Sequence, residues 1–130
     1  MFRPRHRPQA WLALWLLGMA LVTAGSLLPA DDLPRAPIPG FDKIEHLVGH
    51  GALSAFAAML FAPPRVRARA ATGLVLFGIV LEFAQAALTT TRAADALDVL
   101  ANTAGVALGQ LVAFTPAAQW LARLDARLHL

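Results

Sequence analysis

Asp42-Lys43-Ile44-Glu45-His46-Leu47-Val48-Gly49-His50 opens a run that is otherwise apolar to about Ala62. Asp42, His46 and His50 recur every fourth residue, so on a helix each step turns only ~40° and the three share one face. Behind them stand Leu53, Phe56, Ala57, Met59, Leu60 and Phe61, and the next formal charge is Arg65. A helix that is apolar along its length and ionisable along one face suits a membrane-embedded bundle with matching polar groups on the neighbouring helices. The chain supplies such groups in Glu82, Gln85, Arg92, Asp95, Asp98 and Asn102.

Composition agrees with that reading. The apolar fraction is 58% and the charged fraction 15%, against about 45–50% and about 25% in soluble domains. The 130 residues fit one domain, 1–130. With no cysteine, disulfides, thiolate metal centres and cysteine nucleophiles are excluded. The net charge of +3 comes from basic residues scattered between apolar segments. No basic face forms, so nucleic acid is not an expected partner and membrane lipids are.

Working outward, four segments at about 10–28, 43–62, 70–88 and 96–114 each approach the length that crosses a ~30 Å hydrocarbon core. Met1 to Pro8, with Arg3, Arg5, His6 and Arg7, is a proline-broken basic leader with no order of its own. Trp11 and Trp15 read as interface anchors behind it. A cleaved signal peptide is the competing reading of this start, but the apolar run exceeds the usual ~7–15 residues. Pro29, Pro34, Pro37 and Pro39 with Gly40 make an exposed connection. Pro63-Pro64 stops the second segment, Arg65 to Arg69 reads as a short basic loop, and Thr89 to Arg92 as a polar turn. After Pro116, residues 117–130 place Trp120, Leu121, Leu124 and Leu128 on one side and Arg123, Asp125 and Arg127 towards the other. That stripe predicts a short helix lying at the membrane interface.

Arg3, Arg5, Arg7, Arg65, Arg67, Arg69, Arg123 and Arg127 fall on one side of this layout, and most of the acids on the other. By the positive-inside rule both termini are cytoplasmic. The expected fold is therefore all-α: a polytopic bundle of four transmembrane helices with a C-terminal interfacial helix. A soluble four-helix bundle would need polar outer faces, which the first and fourth segments lack.

Depth brings the polar residues together. At 1.5 Å per residue His50 lies ~12 Å inside the outer boundary, and Glu82, rising from the other side, reaches a similar level. Asp98 starts the fourth span and Asn102 follows one turn deeper. An ionised carboxylate at such depth costs about 3 kcal/mol on insertion scales, so Glu82 needs a partner among His46, His50, Lys43 and Arg92. Structural roles compete for the same residues. Asp42 with Glu45 resembles a capping box, Asp95 and Asp98 offer acids to a first turn, and Gln85 and Asn102 can bond across helices. Gly105 and Gly109 form a small-xxx-small face suited to close helix packing.

Asp42-Lys43-Ile44-Glu45-His46, then Gly78-Ile79-Val80-Leu81-Glu82-Phe83-Ala84-Gln85, then Arg92 and Asp95-Ala96-Leu97-Asp98-Val99-Leu100-Ala101-Asn102-Thr103-Ala104-Gly105, resembles the VanZ-like family of small bacterial membrane proteins. The resemblance runs from about Asp42 to Gly109 and implies residence in the bacterial cytoplasmic (inner) membrane. The founding member of that family is associated with low-level resistance to the glycopeptide teicoplanin. The correspondence falls on Asp42, Lys43, His46, Glu82, Gln85, Arg92, Asp98, Asn102 and Gly105, and His50 joins them by its spacing. Thr91 stands where a proline is common in the family, and Ala93-Ala94 where a serine is.

Three functions fit these residues. The first is a non-catalytic envelope protein whose outward polar pocket binds a lipid-linked or amphipathic ligand, with Lys43 and Arg92 for an anionic headgroup and with no cofactor. The second is a metal-dependent intramembrane hydrolase using His46, His50, Glu82 and Asp98, the i, i+4 histidines sharing one ion. The third is a proton-coupled carrier with Glu82 and His46 as relay.

Overall fold

The structure, a computed structural model, describes residues 1–28, 38–90 and 93–128. The proline-rich connection at 29–37 and Arg92 of the expected pocket lie outside the described residues. Helix α1 is Pro8–Leu27, α2 Phe41–Leu60, α3 Pro64–Leu88 and α4 Ala96–Gln110, the last continued by a 3-10 turn at Leu111–Phe114. A second 3-10 turn at Pro116–Gln119 leads into α5, Trp120–Leu128. The described residues are helical apart from short connections and one isolated bridge between Phe2 and Phe61.

The helix starts follow from local chemistry. Pro8 and Pro64 occupy the first turns of α1 and α3, where a missing N–H costs nothing. Gly40 precedes α2 with φ at 76°, a left-handed conformation that glycine adopts without strain. Asp95 caps α4, its Oδ1 accepting the Leu97 N–H at 2.8 Å. Because α2 begins at Phe41, Asp42 is already inside the helix and makes no cap bond, so the capping box expected of Asp42 and Glu45 does not form. Arg65, Arg67 and Arg69 do not form a loop either. They are the first turns of α3, since Pro64 presets the helical φ and arginine is a good helix former.

Among the described residues, three helical stretches are long and apolar enough to cross a membrane: Pro8–Leu27, Pro64–Leu88 and Ala96–Phe114. Helix α2 matches α1 in length, but Asp42, Lys43, Glu45, His46 and His50 fill its first half. It is nonetheless the central element, with its largest interface against α4 and further contacts with α1, α3 and α5. The α2–α4 seam is built of glycine. A Cβ on Gly105 would collide with the Leu47 carbonyl, one on Gly109 with the Gly51 carbonyl, and one on Gly51 would stand 3.3 Å from Gly105 O. Ser54 Oγ locks the seam by donating to Val106 O at 2.7 Å, and Gln110 Nε2 donates to Ser54 Oγ at 2.9 Å.

Polarity is distributed opposite to that of a water-soluble bundle. His50, Ser54, Glu82, Gln85, Asp98, Asn102 and Asp125 are buried, whereas Leu17, Leu21, Leu76, Val80, Phe83, Leu100 and Leu108 are exposed. Helix α1 has no buried residue at all.

The arginine-bearing end departs from expectation in two places. The basic leader is held in position. Arg3 N–H donates to Leu60 O at 2.8 Å, Ala62 N–H to Met1 O at 3.1 Å, and the Phe2 and Phe61 rings lie 5.5 Å apart. Asp125, read from sequence as part of a solvated polar face, is fully buried and accepts the backbone N–H groups of Arg5, His6 and Arg7 at 2.9, 2.7 and 3.0 Å. Trp11 Nε1 adds a fourth donor at 3.0 Å. Burial pushes the Asp125 carboxyl up, but the His6, Trp11, Arg7 and Arg5 donors outweigh it and hold it below the ordinary carboxylate value. Trp15 likewise donates inward, to Leu53 O at 2.9 Å, so neither tryptophan N–H faces an interface. Only Leu121 of the α5 apolar stripe is buried, while Trp120 and Leu128 point outward.

Candidate functional site

At the opposite end, the first two turns of α2 face the start of α4 and the last turns of α3. Lys43 is the pivot. Its Nζ donates to Asp95 Oδ2 at 2.8 Å, Asp98 Oδ1 at 2.9 Å and Asp42 Oδ2 at 3.0 Å. An ammonium has three hydrogens, so these carboxylates use all of them. The Lys43 hydrogen bond, followed by that from the Leu97 backbone, holds the Asp95 carboxyl below its ordinary value.

One turn further along α2, His46 stands between two acids from different helices. Its Nδ1 is 3.6 Å from Glu82 Oε1 and its Nε2 3.6 Å from Asp98 Oδ2. Asn102, one turn beyond Asp98 on α4, places Oδ1 3.1 Å from His46 Nδ1. Glu82 is buried on α3, where Oε2 takes only a long 3.4 Å contact from the Asp95 N–H. Among the described residues, the buried side-chain atoms left without a hydrogen-bond partner are Glu82 Oε1, His50 Nε2 and Asn102 Nδ2. The last two converge on Gly78, whose missing side chain is what admits them: a Cβ there would lie 3.0 Å from each.

The expected constellation is thus partly gathered and partly dispersed. Asp42, Lys43, His46, Glu82, Asp98 and Asn102 form one network, joined by Asp95. His50 lies a turn deeper, its Nδ1 3.3 Å from His46 O and its ring 5.8 Å from that of Phe77. Among the described residues, the group of side chains able to hold a metal ion is His46, Glu82 and Asp98, without His50. The i, i+4 histidines share a helix face but not a coordination point. Gln85 turns away to α1, donating from Nε2 to Ser26 O at 2.8 Å, and so fastens α1 to α3. Gly105 and Gly109 bring the two backbones together beneath the network.

A cavity of about 220 Å³ opens beside these residues. Asp42, Glu45, His46 and His50 form its polar wall, and Val22, Gly25 and Ser26 of α1 its other side. Sequence reasoning missed that α1 wall and also missed Ser54. Ser54 was legible, since it continues the Asp42, His46, His50 spacing by one more step of four. Val22 and Gly25 carry no signal among so many apolar residues.

Comparison with protein-family models, with curated proteins and with solved structures found no match.

Proposed function

We propose that this chain is a small polytopic membrane protein of the bacterial envelope, of the VanZ-like kind its motifs resemble. In this reading it holds an amphipathic or lipid-linked ligand in the cavity between α1 and α2. Helix α2 is the fourth span, its polar half tolerated because it faces protein. The arginine-bearing end, which gathers the leader, the start of α3 and α5, lies on the cytoplasmic side by the positive-inside rule. The cavity then opens towards the outer leaflet of the cytoplasmic membrane.

The observation that carries this reading is the cavity's lining: two carboxylates and two imidazoles on one wall, and Val22, Gly25 and Ser26 of α1 on the other. A ligand with an apolar tail and a head rich in donors, such as an amine or sugar hydroxyls, matches that wall. An anionic head does not, because Lys43 is already shared among three carboxylates. Lipid-linked saccharides and glycopeptides both belong to the matching class, which connects the cavity to the antibiotic tolerance implied by the resemblance.

The test is native mass spectrometry of the protein in nanodiscs, with knock-out cells complemented by the same variants and challenged with a glycopeptide. Asp42→Asn with Glu45→Gln alters the wall without touching His46, Glu82 or Asp98. Loss of a co-purified lipid species and of complementation supports ligand binding here. Wild-type behaviour in both assays refutes it.

A further inference from the structure

We infer that His46, Glu82 and Asp98 form a binding site for one divalent transition-metal ion, of the Zn²⁺ or Mn²⁺ class. They come from α2, α3 and α4, and one ligand atom from each lies within 4.8 Å of the others. Asn102 Oδ1 lies 3.1 Å from His46 Nδ1, and Nε2 faces Asp98 Oδ2 at 3.6 Å. In the tautomer that donates from Nδ1 to Asn102, the Nε2 lone pair faces the carboxylate, and a cation between them satisfies both.

The 3.6 Å between Nε2 and Asp98 Oδ2 has room for an ion: two ligands of one tetrahedral ion, each about 2.0–2.2 Å from it, stand roughly 3.4 Å apart.

Glu82 is the independent observation. Its side chain is 2% exposed and its Oε1 has no hydrogen-bond partner, lying 3.6 Å from His46 Nδ1, on the other ring nitrogen from the one that faces Asp98. A buried carboxylate oxygen left in this state is costly unless a cation takes it. Lys43 does not occupy the position. It holds Asp98 by Oδ1 and leaves Oδ2 turned to His46. Asn102 is the outer-shell partner that fixes the imidazole orientation, as metal-binding histidines require. Two carboxylates and one imidazole suit Zn²⁺ or Mn²⁺ better than softer ions. Three protein ligands also leave a position open to water or to an oxygen of another molecule. The site stands whether or not the cavity holds a lipid.

The experiment uses the full-length protein, purified in detergent on a histidine-free tag, stripped with chelator and titrated with Zn²⁺, Mn²⁺ and Co²⁺. About one ion per chain is expected, with visible Co²⁺ absorption bands and a raised melting temperature. Glu82→Gln and Asp98→Asn should each weaken binding at least ~10-fold, and Asn102→Leu by ~10–100-fold. Glu45→Gln, which alters the cavity wall outside the Lys43 network, should leave affinity unchanged, and so should His50→Gln. The inference is overturned if the wild-type protein takes up no stoichiometric ion. It is also overturned if affinity survives in both Glu82→Gln and Asp98→Asn, or depends on His50 instead.

Discussion

Gly105→Ala tests whether backbone contact between α2 and α4 is what assembles the site. The new Cβ would meet the Leu47 carbonyl oxygen and lie 3.0 Å from both Leu47 C and Gly51 N, all of them backbone atoms. No rotamer change relieves such a collision, so α4 must retreat by on the order of 1 Å to restore normal contact. Overpacking of a close-packed interface costs about 1–3 kcal/mol. Retreat also stretches the Ser54 Oγ to Val106 O bond, now 2.7 Å, and an interhelical bond of this kind contributes about 0.6 kcal/mol on average. The expected loss is therefore about 2–4 kcal/mol. Gly73→Ala is the matched control, because a Cβ at Gly73 meets nothing within 4 Å. It should be neutral or should gain up to about 1 kcal/mol of helix propensity. Unfolding of both variants in detergent, followed by circular dichroism, measures the difference. If Gly105→Ala unfolds within about 0.5 kcal/mol of the control, the glycine seam does not hold the two helices in contact and the argument fails.

Asp125→Leu removes the acceptor of three backbone N–H groups and one indole, and should cost about 3 kcal/mol or more. Limited proteolysis between Met1 and Pro8 reports it as a released leader. Since the folded Asp125 carboxyl titrates below its unfolded value of 3.8, its contribution is complete above that value and fades as pH falls through the lower, folded one. Leader cleavage in the wild type should accordingly rise only below about pH 4, and Asp125→Asn should flatten that dependence. Gly78→Ala places a methyl group 3.0 Å from His50 Nε2 and Asn102 Nδ2, so a loss of about 1–3 kcal/mol is expected in the same unfolding assay. Trp15→Phe keeps the ring but loses the donor to Leu53 O. About 1 kcal/mol of destabilisation should follow, with weaker tryptophan emission shifted to the red as the exposed Trp120 comes to dominate.

How much of this was legible in the sequence depends on the range of the interaction. Helix positions and the polar face of α2 follow from spacing within single segments, and counting residues from the expected membrane boundaries puts His50 and Glu82 at similar depth, with Asp98 nearer the surface and Asn102 one turn deeper. The rest required knowing which partner each group finds. Lys43 illustrates this: its charge suggested an anion site, but three carboxylates from two helices take all its hydrogens. His50 shares the face of His46, yet a deeper turn points it at Phe77 and the Gly78 notch. Asp125 escaped for the opposite reason. Local pattern put it on a polar stripe, whereas its partners lie about 120 positions away in a leader that has no periodicity to read.

These misreadings share a cause, and it bears on the metal site. In a chain whose outward residues are leucine, valine and phenylalanine, any charged or polar side chain that turns inward must find its counterpart inside. Lys43 finds three acids, Asp125 finds four donors and Gln85 finds the Ser26 carbonyl. Glu82 finds only a long contact from the Asp95 N–H and an imidazole nitrogen 3.6 Å away. Applied to Glu82, the one buried acid among the described residues without a strong donor, the rule calls for a positive charge between α2, α3 and α4. Replacing that acid alone with glutamine separates the possibilities. If Glu82→Gln stabilises the chelator-stripped protein but removes the stabilisation that metal gives the wild type, the carboxylate is kept for the ion. If Glu82→Gln destabilises the stripped protein, the carboxylate is already satisfied by its protein neighbours, and the electrostatic case for a bound cation falls.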